Sequence, residues 1–546
     1  MEIIFERPSI TVFTRNQEYL MTDRLTATQM LTQLRAGHVS SLELTQQAIE
    51  RIAAVNPALN ALVVDRFEAA LADARAADDR WQAIRQAGHA DENAPLLLGV
   101  PVTVKEMFDV QGMATTVGIQ RRRALLATRD AEVVRRWRAQ GAIILGKTNV
   151  PQMGAFAETD NPVYGRTNNP WNLERTCGGS SGGDAALVGA GATALALASD
   201  GGGSIRLPSH ACGAYGFKPT GGQLPMSGHW MSMNWPSDWG QPGPIAASVT
   251  DLELGWRALQ PEAPDQAIYG EVPQDPRVSS LSLLSDVKRP LRVGVYDSLP
   301  ELPACDAVRR AVRMAADTLQ SLGAELIPFE FPRAGDGWEI YMTLFYAEGL
   351  RDMQRQVRGS AVDPRIRELF RFARLPRRLR PVIARAYAAL GQRRVAQLLR
   401  DVDRPVQTAE TYCRRLLEMH AYRQHFARRW RRANLDVLLG PVAPAPAYRH
   451  NEFFANYALI YTGLYNLLGM PAGAVPVTLM TEQESQQVLI ASRDPVDAAL
   501  QRAVSGGAGL PLAVQIAGFW WQDAKVLQVM RLLNEHLTLP AVPEFT

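Results

Sequence analysis

Two serines of this chain sit in glycine-rich surroundings, in Cys177-Gly178-Gly179-Ser180-Ser181-Gly182-Gly183 and in Ser199-Asp200-Gly201-Gly202-Gly203-Ser204-Ile205-Arg206. Glycine neighbours leave a hydroxyl unobstructed and let nearby N–H groups face a ligand. Three consecutive glycines before Ser204 offer successive N–H groups able to surround a carbonyl oxygen while the serine attacks the carbonyl carbon. A flexible turn and a phosphate cradle are the rival readings of this loop. A phosphate loop closes on Gly-Lys-Ser/Thr, whereas here Ile205 follows the serine. Taken alone, the loop leaves catalysis and the plain turn both open.

The first cluster also spells the G-x-S-x-G elbow, Gly178-Gly179-Ser180-Ser181-Gly182. An elbow needs a strand before it, and Asn169-Pro170-Trp171-Asn172 reads as loop. A Ser-His-Asp esterase is disfavoured on that ground. The eight histidines show no metal-ligand spacing and read as structural or surface groups. No metal and no cofactor is expected.

Such residues need rigid elements behind them. Leu97-Leu98-Gly99-Val100-Pro101-Val102-Thr103-Val104 is a short β-rich run that ends at Lys105, and Ala142–Gly146 is a second buried strand. Val437–Leu439 and Leu512–Gln515 look like further strands. From Thr26 to about Ala74 the apolar spacing is helical, with Ser40 and Ser41 as caps between two helices. Ala87–Ala94 reads as a polar loop, and Ala185–Ala198 as buried core. Helical patterns alternating with strands argue for an α/β architecture.

Composition excludes several classes. With 47% hydrophobic and 21% charged residues the chain is an ordinary globular protein, and a formal net charge of +3 over 546 residues gives no reason to expect nucleic acid as a partner. Four scattered cysteines with no CxxC pair suit a reducing compartment. Residues 1–13 do not read as a secretory signal, and no apolar run reaches membrane-spanning length. A cytoplasmic protein is expected.

The combination of Lys105, Ser180 and Ser204 resembles the amidase signature family. Supporting segments are Gly99–Glu106, Gly146-Lys147-Thr148-Asn149, Gly165–Trp171, Gly216-Phe217-Lys218-Pro219-Thr220, Gly469-Met470-Pro471-Ala472 and Gly509–Ile516. Together they span about residues 25–535. The resemblance implies one amidase domain over 1–546, an α/β fold with a large twisted mixed β-sheet covered by α-helices on both faces. Within it lie a helical region at about 24–85, a signature core at about 97–260 and a basic helical insertion at about 364–400.

By the same resemblance Ser204 is the nucleophile, Ser180 the proton shuttle and Lys105 the base, with the Gly179–Ser180 peptide cis. The N–H groups of Gly201, Gly202, Gly203 and Ser204 form the oxyanion hole. Gly154 offers its carbonyl to the substrate, and Ser181, Asp200 and Arg206 support the site. An ammonium cannot accept a proton, so Lys105 must lose its charge at working pH, which burial favours.

Thr148-Asn149-Val150-Pro151-Gln152 and Ser181-Gly182-Gly183-Asp184 are similar in wording to fatty acid amide hydrolases, which implies hydrophobic acyl amides as substrates. Short-chain, aryl or nylon-oligomer amidases are alternatives, as is the amidotransferase subunit of tRNA-dependent glutamine synthesis. A catalytically dead membrane-surface protein is a further reading, disfavoured because the triad is complete. The resemblance also leaves open a homodimer.

The stretch Pro364–Arg400 interleaves arginines with Phe370, Phe372, Leu375, Leu379, Ile383, Tyr387 and Leu390. It reads as two basic amphipathic helices broken by Pro376 and Pro381. Residues 368–400 either touch an anionic membrane surface or pack on the core with a solvated basic face.

Overall fold

A computed structural model describes residues 24–87, 94–230, 236, 238–261, 290–348, 350–374, 376, 378–402, 408–489 and 492–540. The stretch 1–13 and most of the loop expected over 87–94 lie outside the described residues.

Eleven strands form one sheet: β1 (Leu62–Asp65), β2 (Pro101–Lys105), β3 (Ile143–Thr148), β4 (Leu195–Asp200), β5 (Tyr215–Lys218), β6 (Gln241–Ala246), β7 (Arg292–Val295), β8 (Glu325–Pro328), β9 (Val437–Pro441), β10 (Ala472–Leu479) and β11 (Pro511–Gly518). Their order is β1-β3-β2-β4-β6-β5-β10-β11-β9-β7-β8. The β3-β2-β4 and β9-β7-β8 neighbours run parallel and the other pairs antiparallel, so the sheet is mixed, as expected. Every residue of β2, β3 and β4 is buried. Strands covered on both faces read as continuous apolar runs, which is why β2 and β3 stood out in the sequence.

At the N-terminal end of the described chain, helices Ala27–Ala36 and Ser41–Leu59 begin at capping boxes, Thr26 with Gln29 and Ser40 with Glu43. Each such cap contributes about 1 kcal/mol. The helical pattern does not run unbroken to Ala74. Asn56 Oδ1 accepts the N–H groups of Ala61 and Leu62 at 2.8 Å each, which turns the chain out of the helix and into β1. The stretch Ala185–Ala198, read as core, divides between helix Gly182–Gly189 and β4.

A strand does precede Ser180. Asn168–Asn169 and Asn172–Thr176 form a two-stranded ribbon, closed where Asn169 Oδ1 accepts the Trp171 N–H at 2.8 Å. The ribbon pairs with itself and not with the large sheet.

The basic stretch contains three helices, Pro364–Arg374, Arg380–Ala389 and Arg393–Val402. Pro381 lies in the first turn of the second, where a missing N–H breaks nothing. The chain breaks between Arg374 and Arg380, where Pro376 lies as expected, and again at Gly391, whose φ of +86° is left-handed. The first helix buries Ile366, Leu369 and Phe370 in a cluster with Met107, Met153 and Phe156. Ile383 and Tyr387 of the second are partly buried against the main core. Leu379, Val382 and Leu390 stay exposed at 51%, 59% and 60%. Leu375, Arg377 and the side chain of Phe372 lie outside the described residues. Among the described residues no helix is long and apolar enough to cross a membrane.

Candidate active site

β2 and β4 are parallel neighbours, with Thr103 opposite Ala196 and Val104 opposite Leu197. Their carboxyl ends therefore bring Lys105 and Ser199 side by side, at the edge where ligand crevices of α/β sheets open. Lys105 is fully buried. Its Nζ donates to Ser180 Oγ at 2.8 Å, to Ser199 Oγ at 3.0 Å and to the Ser199 carbonyl at 3.1 Å.

Burial pushes the Lys105 pKa well below the ordinary lysine value, while Asp184 and Asp200 pull it the other way. Asp184 is buried as well, and burial pushes its carboxyl up. A 2.6 Å hydrogen bond from Thr148 Oγ1 and the nearby Lys105 charge oppose that rise. Lys105 is thus a lysine whose neutral form is within reach near neutral pH.

The two serine loops are tied together. The Gly179–Ser180 peptide is cis, as the resemblance implied. Ser181 donates its N–H to the Ser204 carbonyl at 3.1 Å and its hydroxyl to the Ser199 carbonyl at 3.2 Å. Ser180 is buried, while Ser204 is partly accessible. Gly154 lies near Ser180: with φ of +64°, a Cβ there would meet Met107 Cε at 2.8 Å and Ser180 Oγ at 3.6 Å.

Asp200 organises the turn between β4 and helix Arg206–Cys212. Its carboxylate accepts the N–H of Gly203 at 2.7 Å and of Ile205 at 3.1 Å, and pairs in two places with Arg206 at 3.0 Å each. Burial alone would raise the Asp200 pKa, but the Arg206 charge and hydrogen bonds hold it far below the usual carboxylate range. Arg206 also donates to Thr462 O, Gln515 Oε1 and Asn466 Oδ1, so neither buried charge lacks partners. Of the glycine N–H groups before Ser204, that of Gly203 is thus held by Asp200.

Glycine is sterically required at the next positions. A Cβ on Gly202 would lie 2.3 Å from Tyr341 Oη, and one on Gly203 would lie 2.2 Å from Thr462 Oγ1. Tyr341 donates its hydroxyl to the Gly201 carbonyl at 2.9 Å and stacks between Trp239 and Trp338, with centroids 4.8 Å and 5.6 Å away. Next to it opens a small apolar cavity of about 50 Å³, lined by Phe156, Trp338, Tyr341, Phe345, Tyr346 and Leu369 among others.

Ser199, His229 and Tyr341 were not singled out from the sequence. Ser199 had a usable signal, since it ends a buried run one residue before the Asp200 turn. His229 and Tyr341 had none, because they reach the site through tertiary packing. Among the described residues no group of three His, Cys, Asp or Glu side chains is arranged to hold a metal ion.

Residues 43–527 match the family described as Amidase. The chain is 35% identical over 449 residues to "Fatty-acid amide hydrolase 1" of Sus scrofa, covering 80% of this chain and 75% of that one. It is 30% identical over 550 residues to a glutamyl-tRNA(Gln) amidotransferase subunit from Roseiflexus castenholzii (strain DSM 13941 / HLO8), covering 95% and 98%. A solved structure titled "Fatty acid amide hydrolase" superposes with a TM-score of 0.77 at 20% identity, covering 96% of this chain and 86% of that one, a likeness of fold. The chain belongs to the amidase signature family. It is an amide-hydrolysing enzyme of mixed α/β fold.

Proposed function

We propose that the enzyme hydrolyses amides of hydrophobic carboxylic acids through an acyl-enzyme on Ser204. The observation that carries this reading is the buried Lys105 Nζ, 2.8 Å from Ser180 Oγ, beside a glycine loop that ends in Ser204. As Ser204 Oγ attacks the carbonyl carbon, its proton passes to Ser180, whose own proton passes to neutral Lys105. The N–H groups of Gly201, Gly202 and Ser204 receive the oxyanion, and the Gly154 carbonyl holds the substrate. Run in reverse, the relay protonates the departing amine, and water then releases the acid by the same route.

Two observations support a hydrophobic acyl group. The cavity beside Tyr341 is walled largely by aromatic side chains, a poor match for free glutamine. In addition, the Sus scrofa relative is named for fatty acid amides. The exposed Leu379, Val382 and Leu390, set among Arg378 and Arg385, supply a surface suited to an anionic bilayer from which such substrates are drawn.

An acyl-anilide series of increasing chain length, run with Ser204→Ala as control, tests the reading. Rates that rise with chain length and vanish in the variant are expected. Activity confined to acetyl or benzoyl groups would overturn the acyl preference, and an active Ser204→Ala would overturn the nucleophile.

A further inference from the structure

Lys105 must point a lone pair at Ser180, and this sets a demand on the hydrogens around it. A neutral amine carries two hydrogens, and here both have fixed acceptors, the carbonyl oxygen and the Oγ of Ser199. That commitment aims the lone pair at Ser180, the third partner. It holds only while Ser199 Oγ accepts from Lys105. A hydroxyl is also a donor, and a Ser199 hydroxyl turned toward Nζ would occupy the lone pair that Ser180 needs.

Among the described residues the Ser199 hydroxyl has one other side-chain hydrogen-bond partner. His229 Nε2 lies 2.9 Å from Ser199 Oγ. The imidazole is held below its usual pKa by burial and by the nearby Lys105 charge, so it stays neutral and offers one acceptor nitrogen. Its Nδ1 is buried and finds no hydrogen-bond partner among the described residues, which makes Nε2 the single polar tie of the ring. The ring is fixed by packing edge to face on Phe108, with centroids 4.7 Å apart. The backbone around it is sewn to the segment after β2, with Trp230 N–H on Met107 O and Asp109 N–H on Gly228 O, both 2.8 Å.

We infer that His229 is a positioning residue: its Nε2 takes the Ser199 hydroxyl hydrogen and so compels Ser199 to accept from Lys105, leaving the lysine lone pair free for Ser180. No proton is transferred to the imidazole and no bond is broken in this role. The inference rests on the proposed Lys105–Ser180–Ser204 relay, which Ser199 and His229 extend.

The test uses the full-length protein and a fluorophosphonate, which reports activation of Ser204 without a choice of amide. His229→Phe keeps the aromatic packing on Phe108 and removes the acceptor. It is expected to slow phosphonylation about tenfold. The acid limb of the rate is expected to move to lower pH, because a Ser199 hydroxyl turned toward Nζ favours the neutral amine. The charged groups that face Lys105, Asp184 and Asp200, are unchanged in the variant. His229→Gln, which restores an acceptor, is expected to recover most of the rate. In a Ser199→Ala background His229→Phe is expected to cost nothing further, since no hydroxyl remains to misdirect. An unchanged rate and pH profile in His229→Phe, or losses that simply multiply with Ser199→Ala, would overturn the inference. Histidine ¹⁵N shifts of the unaltered protein give a readout independent of any variant: a hydrogen on Nδ1 is expected, and one on Nε2 overturns it. A wild-type protein that the probe does not label would overturn the Ser204 relay itself.

Discussion

Asp363 donates its backbone N–H to Gln152 Oε1 across 2.9 Å, so the arginine-rich stretch begins on the loop that carries Gly154. Gln152 Nε2 meanwhile donates to Gly118 O at 2.8 Å and to Ala361 O at 2.9 Å. An amide satisfies all three groups because it donates and accepts at once. A carboxylate would face two carbonyl oxygens with nothing to donate. Gln152→Glu is therefore expected to cost about 1–3 kcal/mol and to expose the 361–374 segment. Thermal melting and the onset of proteolysis near Arg367 measure both effects.

The Lys105 pKa predicts the pH dependence. With Lys105 as the proposed base, its protonated form is inactive, so activity should rise with pH along a limb set by Lys105, far below the ordinary lysine range. Asp184 favours the charged lysine. Asp184→Asn removes that attraction while retaining an acceptor for Thr148, so the acid limb is expected to move to lower pH. A profile of kcat/KM between pH 5 and 10 for both proteins decides this, and a limb moved upward would contradict it.

Gly202→Ala would drive a methyl to 2.3 Å from Tyr341 Oη, whereas the next nearest atom, Tyr341 Cζ, stands at 3.4 Å. Because a small displacement of the nucleophile loop is costly, kcat/KM is expected to fall about a hundredfold. Tyr341→Phe removes the clashing oxygen and alone forfeits one hydrogen bond, about 1 kcal/mol. The double variant is expected to recover most of the loss, a reversal that steady-state kinetics would register.

How much of this was legible in the sequence depended on how local each determinant is. β2 and β3 could be read because strands buried on both faces leave unbroken apolar runs, whereas the equally buried β4 was read only as core. The serine loops could be read because their glycines are dictated by backbone approach. β1 was missed, since a four-residue strand drawn out by one asparagine side chain leaves no period to detect. Asn169–Asn172 was read as loop and the strand Asn172–Thr176 after it was missed, because a ribbon pairing only with itself carries no buried run. Gly203 was grouped with its neighbours because sequence shows an N–H as available, not that Asp200 has taken it. His229 and Tyr341 lie 25 and 137 residues beyond Ser204 and are joined to the site only by packing.

The basic helices divide into a buried part and an exposed part, and this separates two substitutions. Phe370→Ala removes a ring buried against the site loop, and is expected to destabilise the protein by about 3 kcal/mol or more. Leu379→Ser with Leu390→Ser changes exposed residues, and is expected to leave melting unchanged while weakening flotation with phosphatidylserine vesicles. Equal flotation by the parent and the double variant would remove this surface from the account.

Tyr341 belongs to two structures at once: its ring walls the apolar cavity and its hydroxyl grips the backbone one residue before Gly202. On the proposed relay, fit and speed are consequently coupled through a single side chain. An acyl group that crowds the ring also tugs on the nucleophile loop, so a poorly matched chain should be penalised in kcat as well as in KM. Re-tailoring the cavity for another substrate would then have to begin by uncoupling that lever, not by enlarging the wall.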